Sequence, residues 1–371
     1  MAKRTKPPFR ADHVGSFLRP QELIDARHKR EAGAITAEQL WDIESTAVRD
    51  VISLQEGVGL KSITDGDFRR GHWWNDFVLA IDGLEIQGGM DVHFRQQPGN
   101  EIAHAPHRAI VTKRMNRPKG ICADQFKFLK ENTRETAKLC IPSPSIVHFR
   151  SGRDGVDKTA YPDMPEFFDD LARIWREEIA DIAALGGRYI QLDEVNLAFL
   201  CDPKLREAVV RLGENPDTLP MTYAKLLNDT VRGRPDDMVI CLHLCRGNHR
   251  SNYVADGGYE PVAETLFNAI DVDGYFMEFD SPRAGNFEPL RFVPKGKMVV
   301  LGLVTTKFPE LEKKDELKRR IDEAAKFIDI DQLALSPQCG FASTLLGNKV
   351  TVDDEKRKLA LIVELADEIW G

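Results

Sequence analysis

Eight short apolar runs, each tipped with polar residues and followed by a longer stretch of helical periodicity, divide the chain from end to end. They occupy residues 13–17, 62–66, 139–143, 189–193, 239–243, 274–278, 298–302 and 333–337. Strands that alternate with helices run parallel, because a parallel neighbour is reached only through a crossover connection. Between runs, the stretch 164–185 carries Phe167, Leu171, Ile174, Trp175, Ile179 and Ile182 at the spacing of one helix face. Eight such units predict a single (β/α)₈ TIM barrel over residues 1–371, with a doubly wound sheet as the alternative. Residues 85–125 break the rhythm: Gly88-Gly89, Gln96-Gln-Pro-Gly99 and Asn116-Arg-Pro118 bracket alternating residues around Ile110-Val-Thr112. They predict a hairpin-like insertion after the second strand. The spacing of its histidines, His93, His104 and His107, could make a second metal site, but a polar surface loop is the commoner case, and they receive no role.

Composition narrows the class. With 42% hydrophobic and 30% charged residues, the chain reads as a soluble globular enzyme, and no apolar run approaches the roughly 18 residues of a membrane span. The basic start, Met1-Ala-Lys-Arg-Thr-Lys-Pro-Pro8, lacks the apolar stretch of a secretory signal, so a cytoplasmic location is expected. The net charge is −8 and the basic residues are scattered among acids, which argues against a nucleic-acid partner. Six cysteines, sparse in so long a chain and without the spacing of a small disulfide scaffold, suit a reducing compartment.

In a barrel of this kind the reactive side chains gather at the C-terminal ends of the strands. The tips here offer Gly15 and Ser16, Asp65 and Asp67, Ser143, Asp193 and Glu194, His243 and Cys245, Glu278, Lys307 and Cys339. His243 and Cys245 stand two apart on a strand and therefore share a face, and Cys339 could join them from another strand. Mixed nitrogen and sulfur ligation favours zinc. Glu278 is the best candidate for a fourth ligand, with Asp280 its rival on the same face. The plain alternatives are an ordinary core stripe of Cys241, His243 and Cys245, and a carboxylate that pairs with a cation or caps a helix. A zinc with two thiolates, an imidazole and a displaceable oxygen ligand suits thiol binding and deprotonation, hence S-alkylation. Asp67 and Asp193 could receive an ammonium, and Ser16 with the amides near Gly15 a carboxylate. Against these stand a helix cap at Asp193-Glu194 and a simple turn at Gly15-Ser16. A non-catalytic zinc-stabilised barrel is the competing class; a weak oxygen ligand on the rim points to catalysis instead.

Together these motifs resemble the catalytic half of cobalamin-independent methionine synthase, from about residue 9 onward. The most specific parts are His243-x-Cys245, Cys339-Gly340, Gly15-Ser16 and Gln191-Leu-Asp-Glu194. The segments Pro8-Phe-Arg-Ala-Asp-His-Val-Gly-Ser16 and Leu335-Ser-Pro-Gln-Cys-Gly-Phe341 are similar to short single-barrel relatives, a group that includes epoxyalkane:coenzyme M transferase. The resemblance implies Zn²⁺ held by His243, Cys245, Glu278 and Cys339, which presents homocysteine as a thiolate for methylation to methionine. It implies substrate binding by Gly15, Ser16, Asp67, Asp193 and Glu194, with Lys307 and Asp193 as catalytic candidates. Several positions depart from the family pattern. The N-terminal half that helps bind folate has no counterpart in these residues, His148 stands for a tryptophan that stacks on folate, and Phe199 for a pterin-directed glutamate. Lys307 stands for a proton-donating histidine and Asp67 for a glutamate. The expected partners are therefore homocysteine and a methyl donor: methyltetrahydrofolate, a methylated corrinoid protein or a methyl sulfonium. Alkyl transfer to coenzyme M is the alternative.

Overall fold

The computed structural model describes residues 4–88, 92–95, 101–104 and 107–371. In chain order the strands are β1 Ser62–Ile63, β2 Asp82–Gly88, β3 Val92–Arg95, β4 Glu101–His104, β5 His107–Asn116, β6 Thr136–Ala137 and β7 Leu139–Pro142. They continue with β8 Tyr189–Asp193, β9 Val239–Leu244, β10 Gly274–Glu278, β11 Met298–Val304 and β12 Leu333–Pro337. Strands β7 to β12 form one parallel sheet in sequence order, each joined to the next through helical crossovers. The architecture is mixed α/β around a parallel sheet.

Two of the eight expected strands take another form. β1 is reduced to two residues and pairs in parallel with β6, while Lys138, which leads into β7, donates its backbone N–H to the Ile63 carbonyl at 2.8 Å. The first run is no ladder strand at all. Its backbone bridges β12 through Asp12 N to Leu335 O at 3.0 Å, then turns to Gly66 through Phe17 N at 3.0 Å. Gly15 divides the two halves with φ +117°, and a Cβ there would sit 2.7 Å from the Cys140 sulfur, so extended pairing stops at this residue. Residues 82–116 hold two antiparallel pairs, β2 with β5 and β3 with β4; His93 and His104 have side chains outside the described set.

Periodicity two on the strands produces layers. Val14, Tyr189, Cys241, Phe276, Val300 and Ala334 pack together as a buried cluster on the inner face of the sheet. Two residues further along lie Gln191, His243, Glu278 and Ser336, all buried. The opposite face packs on helices. In Met164–Ala184 the positions Phe167, Leu171, Ile174, Trp175, Ile179 and Ile182 are buried as expected, and the Trp175 indole donates to the Pro142 carbonyl at 2.7 Å. No described helix is long and apolar enough to cross a membrane.

A polar cluster anchors the N-terminal segment. Asp12 is fully buried and takes Lys138 Nζ at 3.1 Å, Ser62 Oγ at 2.7 Å and Tyr189 OH at 2.8 Å. Burial would raise its carboxyl, yet the Lys138 charge and these hydrogen bonds hold it below its ordinary value. Lys138 Nζ also lies 3.9 Å from the centre of the Phe276 ring, a cation–π contact. Removing one member leaves an uncompensated buried charge. Lys138→Met should therefore destabilise the fold by about 3–5 kcal/mol in urea unfolding, and adding Asp12→Asn should recover part of that loss. Glu355, at the start of the helix Val352–Trp370, accepts Leu18 N at 3.0 Å, and burial pushes its carboxyl up to about 8. With the folded value above the unfolded one, the native state holds more protons between the two, and stability falls as pH rises through this interval. Glu355→Gln should flatten that decline in melting temperature measured from pH 5 to pH 9.

Candidate metal centre and its cavity

The parallel register sets the site. β9 places His243 beside Phe276 of β10, and Glu278 pairs with Gly302 of β11. Between Gly302 and Val304 the register with β12 slips, and Gln338 N reaches back to the Val304 carbonyl at 2.8 Å. The Gln338 backbone passes so close to Gly302 that a Cβ there would meet Gln338 Cα at 2.7 Å. That approach delivers Cys339 to the end of β9. Its Sγ lies 3.4 Å from Cys245 Sγ and 3.6 Å from His243 Nε2. One ligand atom of each residue falls within 4.8 Å of the others, and all three are buried.

Two buried thiols and an imidazole at these distances fit a tetrahedral zinc or similar ion, because that donor set matches its preference. The Cys339 thiol lies well below its usual range: the Cys245 hydrogen bond, the His243 ring and the Lys307 charge outweigh burial. Lys307 is buried, donates to Asn248 Oδ1 at 3.1 Å and to the Gly247 carbonyl at 3.3 Å, and its charge also favours the Cys245 thiolate.

Glu278 is placed differently from its expected role. It lies outside the group of mutually close ligand atoms, because its carboxylate accepts Arg246 N at 2.8 Å and pairs with Arg283 at 3.1 Å. Its charge nevertheless acts on both His243 and Cys245. Asp280 is likewise held by Arg283, at 2.7 Å.

The triad opens into a cavity of about 320 Å³ whose wall includes Ser16, Asp67 and Asp193. Gln191 Nε2 donates to Asp193 Oδ1 at 2.8 Å, and burial pushes the Asp193 carboxyl up to about 7 against the pull of His243. Asp67 has φ +61° and lies 3.3 Å from Arg70 Nη1. Such a conformation in a non-glycine residue is uncommon and gathers at functional sites. Ser16 is fixed by Phe341 N on its carbonyl at 2.9 Å, and a Cβ on Gly340 would lie 1.8 Å from Ser16 Oγ. Gly15 and Glu194 are absent from the cavity wall. Glu194 is spent as a helix cap: Oε1 accepts Asn196 N and Leu197 N at 3.1 and 3.2 Å, and Oε2 accepts Ser143 Oγ and, at 2.6 Å, Ser145 Oγ. His148 also lies elsewhere, 3.0 Å from Tyr223 OH and 3.3 Å from Glu214, whereas Phe199 does line the cavity. The wall also includes His72, Trp73, Arg150, Asn248 and His249, which no motif singles out, and His107, which the sequence places in a surface loop without a role. Of these, Arg150 could have been noticed as a cation shortly after a strand tip.

The model of the cobalamin-independent synthase catalytic domain matches residues 9–367. A Bacillus subtilis protein, YxjH, itself uncharacterised, is 43% identical over 99% of this chain and 96% of its own length. Methionine synthase of Pyrococcus abyssi is 26% identical over 88% of this chain and 84% of its own. A Listeria monocytogenes structure assigned provisionally to the vitamin-B12-independent methionine synthases superimposes with a TM-score of 0.76 at 34% identity, covering 99% of this chain and 100% of that one. A B12-independent methionine synthase of Shewanella sp. W3-18-1, in complex with selenomethionine, shares the fold with a TM-score of 0.72 at 19% identity over 97% of this chain and 96% of that one. This chain belongs to the family of the cobalamin-independent synthase catalytic domain.

Proposed function

We propose that the protein is a zinc-dependent thiol methyltransferase that converts homocysteine to methionine on a single (β/α)₈ barrel spanning residues 1–371, with 85–125 inserted. The observation that carries this reading is the convergence of His243, Cys245 and Cys339 on a cavity that also displays Ser16, Asp67 and Asp193. The relatives named methionine synthase support the same reaction.

In this reading His243, Cys245 and Cys339 would hold the ion, and Glu278, its carboxylate bound by Arg246 N and Arg283, would offer a fourth, displaceable oxygen. Bound zinc lowers the pKa of a coordinating thiol, so that the acceptor sulfur reacts without its proton. Asp193, steadied by Gln191, and Asp67, steadied by Arg70, receive the acceptor's ammonium. Ser16, pinned between Phe341 and Gly340, receives its carboxylate. Lys307, bonded to Asn248 and the Gly247 carbonyl, stands beside the thiol pair, where its ammonium would limit repulsion as negative charge gathers. The acidic pair favours an aminothiol over coenzyme M, whose sulfonate end has no amine to bind. A Shewanella protein of the same fold binds selenomethionine, the selenium counterpart of the proposed product.

Cys339→Ser should lose zinc and methyl transfer together in a barrel that still melts cooperatively; activity that survives without zinc would sink the mechanism. Zinc-edge X-ray absorption should show the gain of one sulfur neighbour and the loss of one oxygen when homocysteine is added, whereas an unchanged spectrum would mark the ion as structural. Asp193→Asn should retain zinc and raise the homocysteine dissociation constant about 10- to 100-fold, the worth of one buried charge-assisted hydrogen bond. Loss of zinc in that variant would show that the carboxylate belongs to the metal.

A further inference from the structure

The outer wall of the same cavity carries a cation that the methyl-acceptor site does not use. Arg150 follows the short helix Ile146–Phe149 and is 9% exposed, yet among the described residues it has no carboxylate partner. Its recorded hydrogen bond runs from Nη1 to the His107 carbonyl at 3.1 Å, and its Nε is buried with no acceptor. Arg70 and Arg283, also buried, each face an acid, and Arg246 lies over the Tyr259 ring at 4.3 Å from its centre. A buried guanidinium left without an anion is costly unless one arrives. Burial brings it down only to about 10, so it is cationic at neutral pH.

Its neighbours are donors. His72 and His107 line the same wall with ring centres 6.3 Å apart, and His249 and Trp73 complete it. Burial, followed by the charges of Arg150 and these histidines, pulls the His72 ring down to about 3, so it stands as a neutral imidazole. The cavity, of about 320 Å³, is of the size that holds a small molecule, and Arg150 lines it together with the triad.

We infer that Arg150, with His72 and His107, forms a subsite for an oxyanion, a carboxylate, sulfonate or phosphate, carried by the methyl donor. This rests on the transferase reading for the identity of the second substrate, although the anion subsite itself can be tested without turnover. The probe is glutarate, with neutral glutaramide as control, titrated calorimetrically into zinc-loaded protein with and without saturating homocysteine. Glutarate should bind where glutaramide does not, its affinity should fall at least about tenfold in Arg150→Gln and recover in part in Arg150→Lys, since a point charge replaces only some of the bidentate contact. His107→Glu, at an exposed ring on the same wall, should weaken glutarate without disturbing buried packing. Saturating homocysteine should leave glutarate affinity within about twofold. Equal affinity in wild type, Arg150→Gln and His107→Glu, or no binding to wild type, overturns the subsite. Displacement of glutarate by homocysteine overturns its assignment to the donor and gives Arg150 to the acceptor's carboxylate. None of these outcomes alters the zinc-edge spectrum, which tests the transferase reading separately.

Discussion

Parallel register is the constraint on which the site depends. Adjacent strands in a parallel ladder keep their C-terminal ends level, so side chains two residues apart on each strand stack into layers and surface on one rim. By register Gln191, Cys241 and Gly274 stand level, Asp193, His243 and Phe276 stand level two residues further along, and Cys245 emerges beyond them. The apolar layer and the reactive layer are the same strands read two residues further along. A one-residue slip of β9 would turn His243 and Cys245 together toward the helices.

Charge is distributed along the same axis. At the lower end, Asp12 and Lys138 neutralise each other within a shell of hydroxyls. At the rim, carboxylates dominate on the acceptor side and are held in place by Arg70 and Gln191, while Lys307 stands by the thiols. Arg150, on the same cavity, has no carboxylate partner among the described residues. The cavity thus has an anionic and a cationic wall, a polarity that would orient two different substrates before any chemistry occurs.

Much of this was legible in the residues. The six runs that became β7 to β12 announced themselves by alternating apolar content and polar tips, and the His243-x-Cys245 spacing told which face the ligands share. The first run was harder to read: Val14 and Phe17 are buried as a strand's residues would be, but Gly15 bends the chain between two neighbours. Glu194 was ambiguous for a physical reason, since an acidic residue at a strand tip can face a ligand or cap the next helix, and only the positions of Ser143 and Ser145 decide it. Glu278 carries the same ambiguity in another form, because the backbone of Arg246 and the side chain of Arg283 compete for its oxygens. His72 gives no signal beyond being polar, and Arg150 none beyond its place shortly after a strand tip, as their meaning lies in what surrounds them.

Two glycines bracket the third sulfur. Gly302 lets the backbone at Gln338 pass, and Gly340 rests against Ser16 with no room for a methyl group. Cys339 is thus clamped between the sheet and the residue proposed to hold the acceptor's carboxylate. The edge that carries Cys339 and the wall that carries Ser16 are therefore mechanically one part, and a side chain added at either glycine would shift both. New acceptor preferences would be reached more readily from the Asp67 and Asp193 side, where side chains can change without disturbing the path of the β12 exit.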